Sequence, residues 1–291
     1  MNRVTVPEKP GSYRWYYVDV THGEHTVVAI FMIGSLFSSR YAAAPTALPC
    51  RHAAVNFAVY ERGVRRVWVL SEYGALEASE RALTIGGSTL RYLGDRRLEL
   101  DVRERTVLLG RELEAHITLD ALGPSSPPVV LVPGLGHRWH PIAPLATARV
   151  EVPSLQLAFE GHGYHDGNDG DVPLGTDLPG WDWERRCSPG RTVVTYRPHG
   201  APHHHAVEVS CSGVDVRSSP AVDVERARTA WGLPVPSAPS ARLLESSPFY
   251  ARLESHGPEG HVLGEVANFE RFRSPWIRWM ARLRTRMERA A

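Results

Sequence analysis

Two short segments mix titratable groups, aromatic rings and glycines: Gly134-Leu135-Gly136-His137-Arg138-Trp139-His140 and Gly161-His162-Gly163-Tyr164-His165-Asp166-Gly167-Asn168. In an extended chain, side chains two apart point the same way. His137 and Trp139 then share one face, and Tyr164, Asp166 and Asn168 share another. Each face sets a proton-handling group beside a π-rich ring, and the glycines permit tight turns and close backbone approach. Taken singly, the residues have plainer uses. Asp166-Gly167 suits a turn, His137 a hydrogen-bonded structural histidine, and Trp139 and Tyr164 core or rim aromatics. Only their joint arrangement points to a site.

Other motifs carry less. His203-His204-His205 could suggest a metal, but adjacent histidines on a strand alternate faces and do not converge on one ion, so a histidine-rich turn is the better reading. Val132-Pro133-Gly134 resembles the loop after a hydrolase strand, yet the sequence has no G-x-S-x-G elbow to supply a nucleophile. Gly-x-Gly occurs at Gly134 and Gly161 without the third glycine or the βαβ frame of a dinucleotide site. Cys50, Cys187 and Cys211 lack metal-ligand spacing. No metal and no cofactor is therefore expected.

The elements that must position these segments read as β almost throughout. Tyr13–Val20, Thr26–Phe37, His52–Tyr60 and Val64–Glu72 are β-branched or aromatic runs separated by short turns such as His22-Gly23-Glu24 and Glu61-Arg62-Gly63. Gly86-Gly87 and Gly94-Asp95 mark hairpin connections, and Leu113–Leu119 alternates as a half-buried strand does. After the Pro/Ser-rich stretch Gly123–Pro128 come a short strand at Val129–Val132 and the run Leu155–Phe159. A second β set follows in Arg191–Arg197, His205–Cys211 and Val214–Val216. Trp276, Ile277, Met280 and Leu283 recur at helical spacing. Many short strands with frequent turns favour sandwiches or barrels, and a barrel of about eight strands can hold one elongated apolar ligand.

The 291 residues are enough for two packed domains. A formal net charge of +1 gives no field that would point to nucleic acid. Lys9 is the only lysine, and arginines gather between Arg271 and Arg289, where a basic helix could touch anionic headgroups. A solvated helix face is the plainer reading there. The cysteine usage and the polar stretch Met1–Pro10 suggest a reducing cytoplasm. The most apolar run, Thr26–Phe37, is far short of the roughly 20 residues a membrane-spanning helix needs. A soluble or peripheral protein is expected.

Several segments in order carry a family resemblance: Trp15-Tyr16-Tyr17-Val18-Asp19, Phe31-Met32-Ile33-Gly34-Ser35-Leu36-Phe37-Ser38, Gly161 to Gly170 with Pro173-Leu174, and Trp181-Asp182-Trp183-Glu184-Arg185. Pro248-Phe249-Tyr250-Ala251-Arg252 and Arg271-Phe272-Arg273-Ser274-Pro275-Trp276 complete it. Over nearly its whole length the chain resembles the carotenoid 1,2-hydratases (hydroxyneurosporene synthases), of a lipocalin-like superfamily that includes cyclases and pericyclases. The resemblance implies an all-β fold of two lipocalin-like antiparallel sandwich or barrel domains packed together, with a short C-terminal helix. We place an N-terminal β domain carrying both clusters at 1–172 and a C-terminal β domain at 173–291. The family's His-x-Trp and Tyr-x-Asp pairs fall on His137 and Trp139, and on Tyr164 and Asp166. Asn168, Trp15, Trp181 and Trp183 are the candidate substrate-pocket residues.

The implied activity is that of a hydro-lyase: hydration of the terminal 1,2 double bond of an acyclic carotenoid of the neurosporene or lycopene type to a 1-hydroxy tertiary alcohol. Asp166 would be the acid, kept protonated by burial in an apolar tunnel. Trp139 and Tyr164 would stabilise the cation through their ring faces, and His137 would take a proton from the attacking water or orient Asp166. The partners expected are the carotenoid, water and, through Trp276 and Trp279 of the terminal helix, membrane lipid. The expected location is the bacterial cytoplasm, at the face of the cytoplasmic or intracytoplasmic membrane. A cyclase of the same superfamily and a non-catalytic carrier of a lipophilic pigment are the alternatives.

Overall fold

The structure, a computed structural model, describes residues 2–35, 37–44, 46–107, 109–134, 136–238, 240–257 and 260–288. Leu36 and Leu135 of the motif segments, Met1 and Arg289 lie outside the described residues.

Strands β1 (Tyr13–His22), β2 (His25–Ile33), β3 (Ala53–Glu61) and β4 (Val64–Tyr73) form an antiparallel meander. Glu61 pairs with Val64 across Arg62 and Gly63, both with positive φ, which is the two-residue connection that matches strand twist. The strand expected over Thr26–Phe37 ends at Ile33, where Gly34 turns the backbone out with φ +72 and the short helix α1 (Ser39–Ala42) follows. A second meander runs through β5 (Glu77–Ala78), β6 (Ala82–Ile85), β7 (Ser88–Tyr92), β8 (Arg97–Arg105) and β9 (Glu112–Ala121). Next come β10 (Val129–Val132), the long β11 (His137–Val152) and β12 (Leu157–Gly170).

The order across this sheet is β4-β3-β2-β1-β12-β11-β9-β8-β7-β6-β5, with β10 on β11. It curls until β4 packs against β8 and β3 against β6. The strands β1 to β3 are apolar on both faces because both are covered. One face, with Val18, Phe31, Phe57 and Val69, fills the inside of the curl against Leu83, Leu100 and Ile117. The other, with Tyr13, Trp15, Tyr17, Ile30 and Met32, meets a second sheet.

That second sheet is antiparallel and contains β13 (Gly180–Ser188), β14 (Arg191–Pro198), β15 (His203–Ser210) and β16 (Gly213–Pro220). A small hairpin, β17 (Arg226–Arg228) with β18 (Pro234–Pro236), lies outside it, and β19 (Arg242–Ser246), β20 (Tyr250–Gly257) and β21 (Gly260–Asn268) complete it in the order β16-β15-β14-β13-β21-β20-β19. Helices α2 (Phe269–Phe272) and α3 (Pro275–Arg284) follow, the latter opening on Pro275, whose missing N–H costs nothing at a helix start. The last strand, β22 (Arg286–Glu288), returns to the first sheet beside β4. A curled, almost wholly antiparallel sheet packed face to face with a second antiparallel sheet, with a short C-terminal helix, makes the fold all-β as expected.

Candidate functional site

Strand β12 lies between β1 and β11, and the ladder registers decide what meets on it. Asp166 is opposite Tyr17, Asn168 opposite Trp15 and Tyr164 opposite Asp19 on the β1 side. On the other side Asn168 is opposite Trp139, and Gly170 opposite His137. Cross-strand partners project on the same face, so Tyr164, Asp166, Asn168, Trp15, Tyr17 and Trp139 all point toward the second sheet. Asp166-Gly167 therefore makes no turn; it sits inside a 14-residue strand. His165 points the other way, into the curl, where Nδ1 donates to the Tyr17 carbonyl and Nε2 accepts from the Tyr92 hydroxyl, both at 2.8 Å. Burial lowers its pKa to about 4, so it is a neutral structural group.

Asp166 is buried, and its two oxygens differ. Oδ2 accepts from Trp139 Nε1 at 2.8 Å and from the Tyr164 hydroxyl at 2.7 Å. Oδ1 has no hydrogen-bond partner among the described residues. Removal from water raises the carboxyl to about 7, against the opposing pull of the Tyr164 and Trp139 donors. The carboxylates of Glu265 and Asp19 push in the same direction as burial. Burial also holds the Tyr164 phenol well above its usual range, so it remains a neutral donor.

Aromatic rings share the Asp166 face of the sheet: Tyr17 is its cross-strand partner and Tyr164 lies two residues before it on β12. Tyr17, Tyr164 and Trp183 stand with centroids 5.4–6.1 Å apart. The Tyr17 hydroxyl and Trp183 Nε1 are, like Asp166 Oδ1, buried polar atoms without a partner among the described residues. Such atoms are rare in folded proteins, and here they occur together. A second aromatic row runs through Trp139, Tyr196, Trp181 and Trp15 with centroids 5.4–5.8 Å apart, and Asn168 Nδ2 donates to the Tyr196 hydroxyl at 3.4 Å.

His137 stands apart from this group. Its Nε2 is 3.1 Å from the Thr176 carbonyl, which can only accept, so Nε2 carries the proton and Nδ1 accepts from the Tyr13 hydroxyl at 2.8 Å. Burial lowers its pKa, which keeps the ring neutral. A Cβ at Gly170 would stand 2.4 Å from the Tyr13 ring and 2.9 Å from His137 Nδ1, so this crossing of side chains over β12 requires glycine. Tyr13 stacks on Trp15 at 5.0 Å, and His137 thereby braces the end of the aromatic row.

Buried charges line the rest of the cleft. Arg185 on β13 pairs with Asp19 on β1, both without solvent exposure, and its guanidinium lies 5.9 Å from the Tyr164 ring centroid. Arg252 on β20 bonds Glu265 at 2.9 Å, Glu245 at 3.3 Å and the Tyr60 hydroxyl at 2.8 Å. Tyr17, Tyr196 and the Arg185–Asp19 pair are members of the site that residue patterns alone did not single out. Tyr17 carried a signal: it lies two residues from Trp15, on the same face of an obvious strand.

Beneath α3 lies a small, mainly apolar cavity of about 50 Å³ lined by Phe37, Trp68, Leu70, Phe249, Tyr250 and Met280, with Asn56, Glu245, Ser247 and Arg284 as its polar members. Tyr250 belongs to the same buried cluster as Tyr17 and Tyr164. A larger pocket of about 380 Å³ opens on the outer face of the second sheet, among Asp182, Arg197, His199, His203, His204 and Arg226. These groups share the lining with Val222, Val224, Leu233 and Val266. His205 faces the opposite way, its Nε2 toward the Leu131 carbonyl at 3.3 Å, so the histidine run gathers no shared ligand set.

Residues 29–291 match the family described as carotenoid hydratase CrtC. The acyclic carotenoid 1,2-hydratase of Thiocapsa roseopersicina is 32% identical over 93% of this chain and 72% of its own length. That of Rubrivivax gelatinosus is 33% identical over 67% of this chain, and the match covers half (50%) of the relative. Among solved structures, a Nitrosomonas europaea protein assigned as AttH superimposes with a TM-score of 0.57 over 88% of this chain and 92% of its own, at 12% identity. That likeness bears on the lipocalin-like fold alone.

Proposed function

The chain belongs to the carotenoid hydratase family, and we propose that it hydrates the terminal 1,2 double bond of an acyclic carotenoid with Asp166 as the acid. The observation that carries this reading is the asymmetry of the Asp166 carboxyl: one oxygen held by two donors, the other buried and free. A carboxyl raised to about 7 is substantially protonated at neutral pH, whereas an unperturbed Asp at about 3.9 is not.

In this mechanism Oδ1–H delivers its proton to carbon 2 of the alkene. The electron pair of the double bond forms the new C–H bond and leaves a tertiary cation at carbon 1. Trp139 and Tyr164 donate to Oδ2 and stabilise the carboxylate as it forms. The ring faces of Tyr17, Tyr164 and Trp183 stabilise the cation, each by roughly 1–2 kcal/mol when desolvated. Water adds at carbon 1, oriented by the Tyr17 hydroxyl and Trp183 Nε1, and its surplus proton returns to Asp166. The acid is regenerated and the net change is one water added. His137 acts as a positioning residue, fixing Tyr13 and, through it, Trp15.

Purified enzyme given an acyclic carotenoid in liposomes is expected to form a product heavier by one water. Because the essential group must be protonated, kcat/KM should fall as pH rises through about 7. A product of unchanged mass would indicate a cyclase, bound pigment without product would indicate a carrier, and a rate that rises with pH would exclude Asp166 as the acid.

Substrate entry is proposed to occur under α3 from a membrane surface. No described helix is long and apolar enough to cross a membrane. On α3, Ile277 is buried while Trp276, Trp279 and Leu283 are more than half exposed, with Arg278 and Arg282 among them. Two tryptophans and arginines on one short helix suit the headgroup boundary, and the apolar cavity lies directly inside. Drug-sized ligands occupy about 300–1,000 Å³, so the rings between this cavity and Asp166 must part as substrate enters. Replacing Trp276 and Trp279 by Ser should lower liposome binding and turnover in liposomes, but not turnover of detergent-dispersed substrate. Unchanged binding would dismiss the role.

A further inference from the structure

At the end of the inter-sheet cleft opposite α3, the β20–β21 hairpin carries a second cluster of chemistry-bearing groups. Glu254 and His256 are two apart on β20 and face the first sheet. His261 is the direct cross-strand partner of His256, so its ring stands on the same face. One ligand atom from each residue lies within 4.8 Å of those of the other two. His261 Nε2 is 2.9 Å and His256 Nε2 3.8 Å from the same oxygen, Glu254 Oε1, and the imidazole centroids are 4.7 Å apart.

A hydrogen bond explains the first of those distances but not the second, which is too long. The two distances bracket the spacing that ligands of one shared ion would take. With bonds of about 2.0–2.2 Å in a tetrahedral site, neighbouring ligand atoms stand roughly 3.3–3.6 Å apart. Two imidazoles and a carboxylate form a borderline-soft ligand set that suits Zn²⁺ rather than Ca²⁺ or Mg²⁺.

The surroundings hold these ligands in place. The Thr26 hydroxyl on β2 donates to Glu254 Oε1 at 2.7 Å, orienting the carboxylate from across the cleft. Cys187 is directly opposite His261 in the β13–β21 ladder, so its side chain stands on the same face as the His261 ring. Outer groups of this kind fix ligand orientation in zinc sites. Glu254 is buried and His261 nearly so, whereas the His256 side chain is 49% exposed, which leaves one side open to solvent for entry and for a water ligand.

We propose that Glu254, His256 and His261 bind one zinc-class divalent transition-metal ion, with Thr26 and Cys187 as supporting groups. The ion would tie the hairpin tip to β2 and close this end of the cleft. The site shares no residue with the proton chemistry at Asp166.

The test uses the full chain, stripped with a chelator and titrated with ZnCl₂ by calorimetry, then with CoCl₂ by visible absorption. One tight zinc per chain is expected, with the d–d bands of tetrahedral cobalt. Saturating zinc should raise the melting temperature by about 5 °C. His256→Ala removes an exposed ligand whose charged partner among the described residues is Glu254, so folding and turnover should be unchanged while zinc affinity falls at least 100-fold and the thermal shift disappears. His261→Ala should lose affinity similarly. Weak binding at surface histidines such as His203 and His204 would persist in every variant. Absence of tight binding in the unaltered chain, or equal affinity in His256→Ala, would overturn the site.

Discussion

Asp166→Asn is expected to lose turnover by at least 10⁴-fold while melting at a higher temperature than the parent above pH 8. The amide is nearly isosteric, and its oxygen still accepts from Trp139 and Tyr164, so the cleft keeps its shape. It has no proton to give, and positioned proton transfer supplies about 10²–10⁴-fold in ordinary acid catalysis. Here protonation is the step that creates the cation, so the loss should lie at or beyond the top of that range.

The gain in heat resistance follows from proton linkage. Burial pushes the folded carboxyl up to about 7 from its ordinary 3.8. Between those values the folded chain binds a proton that the unfolded chain has released, so stability falls as pH rises through this window. Above it the fold bears the full cost of a buried carboxylate, at most about 4 kcal/mol for a shift of this size. Asn removes that cost, which for a chain of this length corresponds to about 5 °C in melting temperature. Below pH 4 the two proteins should melt alike. Retained turnover, or the same alkaline decline in both, would contradict the assignment.

Asp19→Ala should destabilise the protein by about 3–5 kcal/mol. Arg185 reaches Asp19 across the gap between sheets, and neither side chain is exposed. Removing the carboxylate leaves a guanidinium in the interior with Thr21 Oγ1, at 3.1 Å, as its remaining side-chain acceptor among the described residues. The cost is that of an unpaired buried charge, so replacing both partners with apolar groups should recover most of it. Asp19→Leu with Arg185→Met is expected to unfold in urea close to the parent midpoint, while Asp19→Ala unfolds far earlier. Equal midpoints for the single variant and the parent would show that the pair does not brace the sheets. Because Arg185 also lies against the Tyr164 ring, the single variant should lose turnover by about tenfold or more at temperatures where it remains folded.

The strands of the first sheet were legible because both faces are apolar: β1 to β4 read as β-branched and aromatic runs with glycine turns. Strand β11 was hidden by Pro141 and Pro144, which cannot donate to a ladder. The structure accommodates them with register shifts at Pro141/Ala143 and Ala143/Ala146. Strands β13, β20 and β21 were missed for a different reason. Their inward positions include Arg185, Arg252, Glu254 and Glu265, so the alternation of apolar and polar residues on which strand reading depends is absent. The buried charges become intelligible only when the opposite sheet supplies their partners. Within the site, two-residue spacing gave the shared face of Tyr164, Asp166 and Asn168. It could not reveal that β1 lies beside β12, which brings Tyr17 opposite Asp166 across about 150 residues of chain.

The central claim is that a proton from Asp166 adds at carbon 2 and water oxygen adds at carbon 1. Conversion of an acyclic carotenoid in ¹⁸O-labelled D₂O, with the product analysed by mass spectrometry and NMR, tests it most directly. The expected product carries one ¹⁸O in a tertiary alcohol at carbon 1 and one deuterium at carbon 2, and Asp166→Asn forms none of it. An unlabelled hydroxyl, no deuterium at carbon 2, or the same labelled product from Asp166→Asn would contradict the account.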